Sequence, residues 1–223
     1  SNNNFKINSI LFLIFSLLLI FKIKFYVFCC FFPALIVFTS IKKIQKNPHL
    51  IFMLNISFFC LLFILLHFTS SNYDPISIIS KKQHDFIRLA EFYNANSLIE
   101  IQKIQKTLFS FISAIPSGFI NSLAKPFPSD ITSKIHLISL FENITTLGLL
   151  GYVFFNLKKL KKHLKNDKYA HIYSLIVFII SLYCIVGVTT PVFGALIRYK
   201  IPALIFILIL IVLSLKKIHK IRL

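Results

Sequence analysis

The sequence predicts an all-α fold: a polytopic transmembrane helix bundle of about six spans with an extracytoplasmic amphipathic helical cap. Three observations carry this expectation. Hydrophobic residues occupy 57% of the 223 positions and mean hydropathy is +0.79, whereas a soluble domain uses roughly 45–50% apolar residues. Apolar runs long enough to cross a hydrocarbon core roughly 30 Å thick recur along the chain. Lysines gather in short clusters beside those runs, as at Lys42-Lys43, Lys158-Lys159, Lys161-Lys162 and Lys216-Lys217.

The spans are expected at about 7–21, 25–41, 50–69, 136–157, 169–188 and 201–215, in one membrane domain covering 1–223. A 15-residue helix reaches only about 22 Å, so the first and last must borrow flanking residues or thin the bilayer. Residues 7–41 read either as a hairpin bent at Lys22 to Lys24 or as two tilted helices broken near Pro33. The chain opens on Ser1-Asn2-Asn3-Asn4 instead of methionine, which reads as a processed chain or a fragment lacking N-terminal helices. The apolar run from Ile10 to Phe21 is followed by Lys22 and Lys24, not by small cleavage-site residues, so it reads as a retained span.

Orientation follows from charge. Lys42, Lys43 and Lys46 mark one loop, six lysines lie between Lys158 and Lys168, and the tail from Lys216 to Arg222 is basic again. An even number of spans separates each pair of clusters, so all three face the cytoplasm together, including the C-terminus. Segments 70–135 and 189–200 then face outward, and Lys22 and Lys24 fall on the outer side against the rule. The net charge of +18 is thus a topological signature, not a nucleic-acid surface.

The segment 70–135 holds five of the seven acidic residues: Asp74, Asp85, Glu91, Glu100 and Asp130. Asp74-Pro75 predicts a helix start with proline at its first position, running to about Tyr93. Leu98, Ile101, Ile104, Leu108, Phe111 and Ile112 recur in helical rhythm, and Ser97 with Glu100 forms a capping-box pattern. That spacing predicts a helix over 98–114, ended by Pro116.

Few residues offer chemistry. Cys29, Cys30, Cys60 and Cys184 all lie in apolar runs and read as free, buried thiols. No Cys/His spacing indicates a metal site, and no Walker loop, GxGxxG or GxSxG elbow is present. Glu142 lies about 9 Å inside the fourth span, where an ionised carboxylate is costly unless it faces protein or water. Its neighbours His136, Asn143, Thr145 and Thr146 make that helix partly polar, so a plain interhelical hydrogen bond competes with a functional role. Arg198, one of three arginines, offers a planar fork for phosphate or carboxylate, or anchors the interface beside Tyr199. Lys125 sits in Lys125-Pro126-Phe127-Pro128, a stiff turn just before Glu142's helix.

Three stretches carry a family likeness: Lys125 to Pro128, Leu140-Phe141-Glu142-Asn143, and Gly194 through Arg198-Tyr199-Lys200-Ile201-Pro202. In them the C-terminal half resembles bacterial polytopic membrane proteins of surface-polysaccharide assembly, of the O-antigen polymerase and lipid-carrier glycosyltransferase kind. Lys125 and Ser129 stand where those families commonly have arginine and tryptophan. The resemblance implies an inner-membrane protein acting on lipid-diphosphate-linked sugars at the outer leaflet. It implies Glu142 as the catalytic group that orients a base or activates a sugar hydroxyl. Arg198, Lys125 and Tyr199 would bind substrate, with no cofactor and no metal. The expected partners are membrane lipid and a lipid-linked saccharide, with no nucleic acid. Two readings of other classes stand beside it: a transporter or flippase whose Glu142 is a proton or ion site, and a noncatalytic subunit of a membrane complex.

Overall fold

In the computed structural model, residues 2–44, 47–69, 74–95, 97–131, 133–158 and 166–218 are described. The expected lysine-rich segments at 159–165 and 219–223, together with Lys46 and residues 70–73, lie outside the described residues. Among the described residues the named α-helices are, in order, α1 Asn2–Ile23, α2 Phe25–Ile44, α3 Pro48–Thr69, α4 Pro75–Phe92, α5 Leu108–Ala124, α6 Lys134–Phe155, α7 Asn166–Thr189 and α8 Phe193–Ile218, with a 3-10 turn at Pro128–Asp130. Five of them, α2, α3, α6, α7 and α8, are long and apolar enough to cross a bilayer, and among the described residues of α1 and α5 the apolar stretches are shorter. The chain is an integral membrane protein built as an all-helical bundle.

α7 is the central column. Half of its candidate span is buried inside the protein, against 6% for α3. Phe178, Leu182, Tyr183 and Val186 of α7 pack with Cys30 and Val37 of α2 and with Leu196 and Ile207 of α8. Phe178 sits edge-on to Phe31 and tilted against Phe206, locking three helices through aromatic contacts. α3 instead shows Leu54, Phe58, Leu61 and Leu65 on its outer surface. Such exposure costs nothing in hydrocarbon, where lipid tails are as apolar as leucine.

The one-residue break between α1 and α2 falls at Lys24, and Pro33 lies inside an uninterrupted α2, so the expected break near Pro33 is not formed. Of the four cysteines, all free, Cys30 is buried and Cys184 half-buried, while Cys29 and Cys60 are exposed on helix surfaces; apolar sequence context did not mean burial within the protein. α4 matches its expected limits. Asp74 caps it, accepting from the N–H groups of Ile76 at 3.0 Å and Ser77 at 3.1 Å. Asp74 also pairs with His67 of α3 at 2.9 Å, tying the start of α4 to the end of α3.

The helix expected over 98–114 is not formed. Residues 99–105 are irregular, and α5 begins at Leu108 behind Thr107, whose hydroxyl accepts from the Ser110 N–H at 3.3 Å. Pro116 does not end it, and α5 runs on to Ala124. Tertiary pairing outweighs the local pattern: Ile99 N–H donates to Pro191 O at 2.7 Å, and Phe193 N–H donates to Ser97 O at 3.0 Å. Buried Gln83 of α4 completes the clasp, donating to Gln102 O and Val188 O and accepting from the Ile104 N–H, each at 2.8 Å. Segments 97–104 and 188–193 therefore lie against one another on one side of the bundle, as the expected common outward side requires.

α5 crosses α7 where two glycines meet. A Cβ on Gly187 would collide with the Gly118 carbonyl oxygen and lie 2.5 Å from the Gly118 carbonyl carbon. Ser122 then donates to Tyr183 O at 2.8 Å. Close approach through small residues plus a hydroxyl bond is a common way to join helices in lipid. α5 thus descends beside α7, and its C-terminal end reaches the level of Tyr183, about 9 Å inside the end of α7.

Candidate functional site

The descent of α5 brings its last carbonyls to membrane depth, where unpaired backbone groups are expensive. Asn143 of α6 meets them: its Nδ2 donates to Lys125 O at 2.7 Å and to Ala124 O at 3.3 Å. The Lys125-Pro126 peptide bond is cis, and Pro126 is fully buried. The turn closes on itself through Phe127 N–H to Asp130 Oδ2 at 2.9 Å.

α6 presents two contrasting faces. His136, Ser139, Asn143 and Thr146 are all buried, spaced as one helical stripe, and the same stripe turns apolar at Val153. Ile138, Phe141 and Ile144 occupy the outer face. A span that buries its polar side has something polar to meet, and here it is Lys200 of α8.

Lys200 is 1% exposed and donates from Nζ to Asn143 Oδ1 at 2.6 Å, while Glu142 Oε1 lies 3.9 Å away. The ammonium has three donors, and the Asn143 contact is its one hydrogen bond among the described residues. Glu142 sits at the rim of the cluster with a side chain 34% exposed, yet its Oε1 is buried without a hydrogen-bond partner. Ser139 Oγ and Thr190 Oγ1 are likewise buried without partners among the described residues. Tyr183 of α7 lies within electrostatic range of Glu142. Four elements, α6, α7, α8 and the turn after α5, thus converge on a cation and a carboxylate with unused hydrogen-bonding capacity.

Of the residues expected to act together, the structure joins Glu142 with Lys125 through the backbone, because the neighbouring Asn143 holds the Lys125 carbonyl. It does not join Glu142 with Arg198. Arg198 is exposed, and its Nε donates to Gly194 O of its own helix at 3.1 Å. Tyr199 is half-buried between Tyr26 of α2 and Phe86 of α4, with ring centroids at 5.8 and 6.0 Å. Lys200 and Asn143 are the functional candidates that sequence reading missed. The segment 189–200 reads as a loop when the last span is started at 201, whereas α8 begins at Phe193. With that start, Leu196, Lys200, Ala203 and Ile207 form one buried stripe, so the helical register was the signal.

Among the described residues no group of three or more His, Cys, Asp or Glu side chains is placed to hold a metal ion. A small apolar groove of about 220 Å³ lies elsewhere, between α2, α7 and α8, lined by Phe31, Phe38 and Phe206 among others. No protein-family profile, curated relative or solved structure matches this chain.

Proposed function

We propose that this chain takes part in cell-envelope glycan assembly, holding a lipid-diphosphate-linked sugar at the α6/α8 cluster within the outer leaflet. The observation that carries the reading is the pairing of a buried ammonium with a carboxylate that opens sideways, between Ile138, Phe141 and Thr145, onto the lipid-facing surface of α6. A substrate with a charged head on a hydrocarbon tail approaches from that direction without leaving the bilayer. Lys200 supplies positive charge to the diphosphate through its free donors, and the exposed part of the Glu142 carboxylate accepts a hydrogen bond from a sugar hydroxyl. Arg198 faces away from Lys200, since residues two apart on a helix do not share a face.

The test measures thermal stabilisation of the purified chain by a polyprenyl diphosphate, together with envelope-glycan length in a complementation assay. Lys200→Met is expected to abolish stabilisation, and Glu142→Gln to leave binding while shortening the glycan. Arg198→Lys is expected to change neither. Wild-type behaviour of both Lys200→Met and Glu142→Gln would remove the proposal. A second reading, a proton or ion site for transport, draws on the same partly exposed Glu142; it predicts that Glu142→Gln abolishes ion-coupled uptake in vesicles and leaves glycan length intact.

A further inference from the structure

α4 carries a feature that the α6/α8 cluster does not use. Its inner side buries Ile76, Gln83 and Ala90, while along its outer side a groove of about 550 Å³ is lined by Lys82, Asp85, Arg88, Leu89 and Phe92. The charged residues alternate cation, anion, cation at three-residue steps, about 4.5 Å of helix rise each. Spacing of that kind favours ion pairs along a helix, yet neither Lys82 nor Arg88 pairs with Asp85, and none of the three has another ion partner among the described residues. Beyond them Phe92 is 77% and Tyr93 73% exposed.

The depth of this groove is fixed at three points. The N-terminus of α4 is tied to the end of α3 by Asp74 and His67. Phe86 rests on Tyr199, which rests on Tyr26 in the first turn of α2. Gln83 is bonded to Val188, at the end of α7. The ends of α2, α3 and α7 all mark one rim of the bundle, so α4 lies in the plane where headgroups meet hydrocarbon. Basic residues and aromatic rings are the side chains favoured there.

We propose that the outer groove of α4 is a docking site for a zwitterionic phospholipid headgroup bearing a primary ammonium, as in phosphatidylethanolamine. Arg88 and Lys82 take the phosphate, Asp85 takes the ammonium, and Leu89 with Phe92 lies against the upper acyl chain. The alternating charges fit such a headgroup better than a purely anionic one, which Asp85 would repel. A choline headgroup lacks the N–H donors that Asp85 accepts.

The chain contains no tryptophan, so Phe92→Trp introduces a single fluorescent reporter at an exposed position, and Tyr93→Trp serves if that variant folds poorly. The reconstituted full chain is measured in vesicles containing lipids brominated on the acyl chain, with ethanolamine, choline or glycerol headgroups. The indole is expected to be quenched, most strongly by the ethanolamine lipid. The preference over choline should reach up to about fivefold, the upper range for an exposed ion pair. Asp85→Asn should erase that preference, and Arg88→Gln should weaken association with all three. An indole left unquenched by every brominated lipid overturns the proposal by placing this face in water or against protein. Equal quenching by all three headgroups, or a glycerol preference unchanged by Asp85→Asn, overturns it by removing headgroup recognition.

Discussion

At the scale of single residues, the Lys200 contact with Asn143 is an all-or-nothing arrangement. Removing one partner of a buried charge leaves the other unpaired in a medium that cannot replace it. Asn143→Leu strips Lys200 of its hydrogen bond and leaves Glu142 at 3.9 Å as its ion partner, so a loss of up to about 3 kcal/mol, the upper end for a hydrogen bond to a charged group, is expected. Lys200→Met leaves the Asn143 amide oxygen unpaired and the partly exposed Glu142 carboxylate without its counter-ion, and should cost about 1–3 kcal/mol. The double variant should be less destabilised than the sum, which a cycle of unfolding measurements in detergent or bicelles reads directly. Asp74 gives a pH-dependent counterpart outside the spans. Burial pushes its carboxyl upward, but hydrogen bonds from Ser77, His67 and the Ile76 and Ser77 amides outweigh that, and the net shift is downward. The folded value therefore lies below the unfolded one of roughly 3.9. The contribution to stability is fully present above that unfolded value and drains away as pH falls through the folded one. Unfolding of wild type and Asp74→Asn measured from pH 6 to pH 3 should converge at the acid end; a gap that widens there would reverse the assignment.

At the scale of elements, the α5/α7 crossing and the cap of α5 make separable claims. Gly187→Ala forces a Cβ into the Gly118 carbonyl, and the backbone on both sides has to move, so a cost of about 1–3 kcal/mol is expected. Gly148→Ala on α6 meets nothing within 4 Å and should stabilise by up to about 1 kcal/mol, since alanine is the better helix former. Thr107→Ala should weaken α5 by about 1 kcal/mol, whereas Ser97→Ala should do little, because Ser97 engages the fold through its backbone carbonyl. These pairs also mark where sequence could be read. The apolar runs announced the spans, and Asp74-Pro75 announced α4, because both signals are local. The rhythm from Leu98 to Ile112 misled because Gln83 and Pro191, distant in sequence, supply bonds to that stretch. Glu142 was legible as a carboxylate inside an apolar run. Lys200 was not, because its meaning depends on a helix beginning seven residues earlier and on Asn143 facing it.

At the scale of the molecule, charge and packing make a joint claim about sidedness. The lysine clusters argue that the loop after α2 and the C-terminal tail stay in the cytoplasm. The clasp between 97–104 and 188–193 argues independently that the α4–α5 segment and the α7–α8 turn share one face. With the lysine rule as premise, that shared face is expected outside, because α3 alone separates the first lysine cluster from α4. Ser129 and Gly194 are both exposed on that side, and Lys43 is exposed at the end of α2. Ser129→Cys and Gly194→Cys are therefore expected to react with a membrane-impermeant maleimide in intact cells, and Lys43→Cys only after permeabilisation. A background with Cys29, Cys60 and Cys184 replaced removes the thiols that are not fully buried. Reaction of Lys43→Cys from outside, with Ser129→Cys and Gly194→Cys silent, would invert the bundle and carry the α6/α8 cluster to the inner leaflet. If Ser129→Cys and Gly194→Cys instead reacted from opposite sides, α5 would have to cross the bilayer, since it alone separates the clasped segment 97–104 from the turn that carries Ser129.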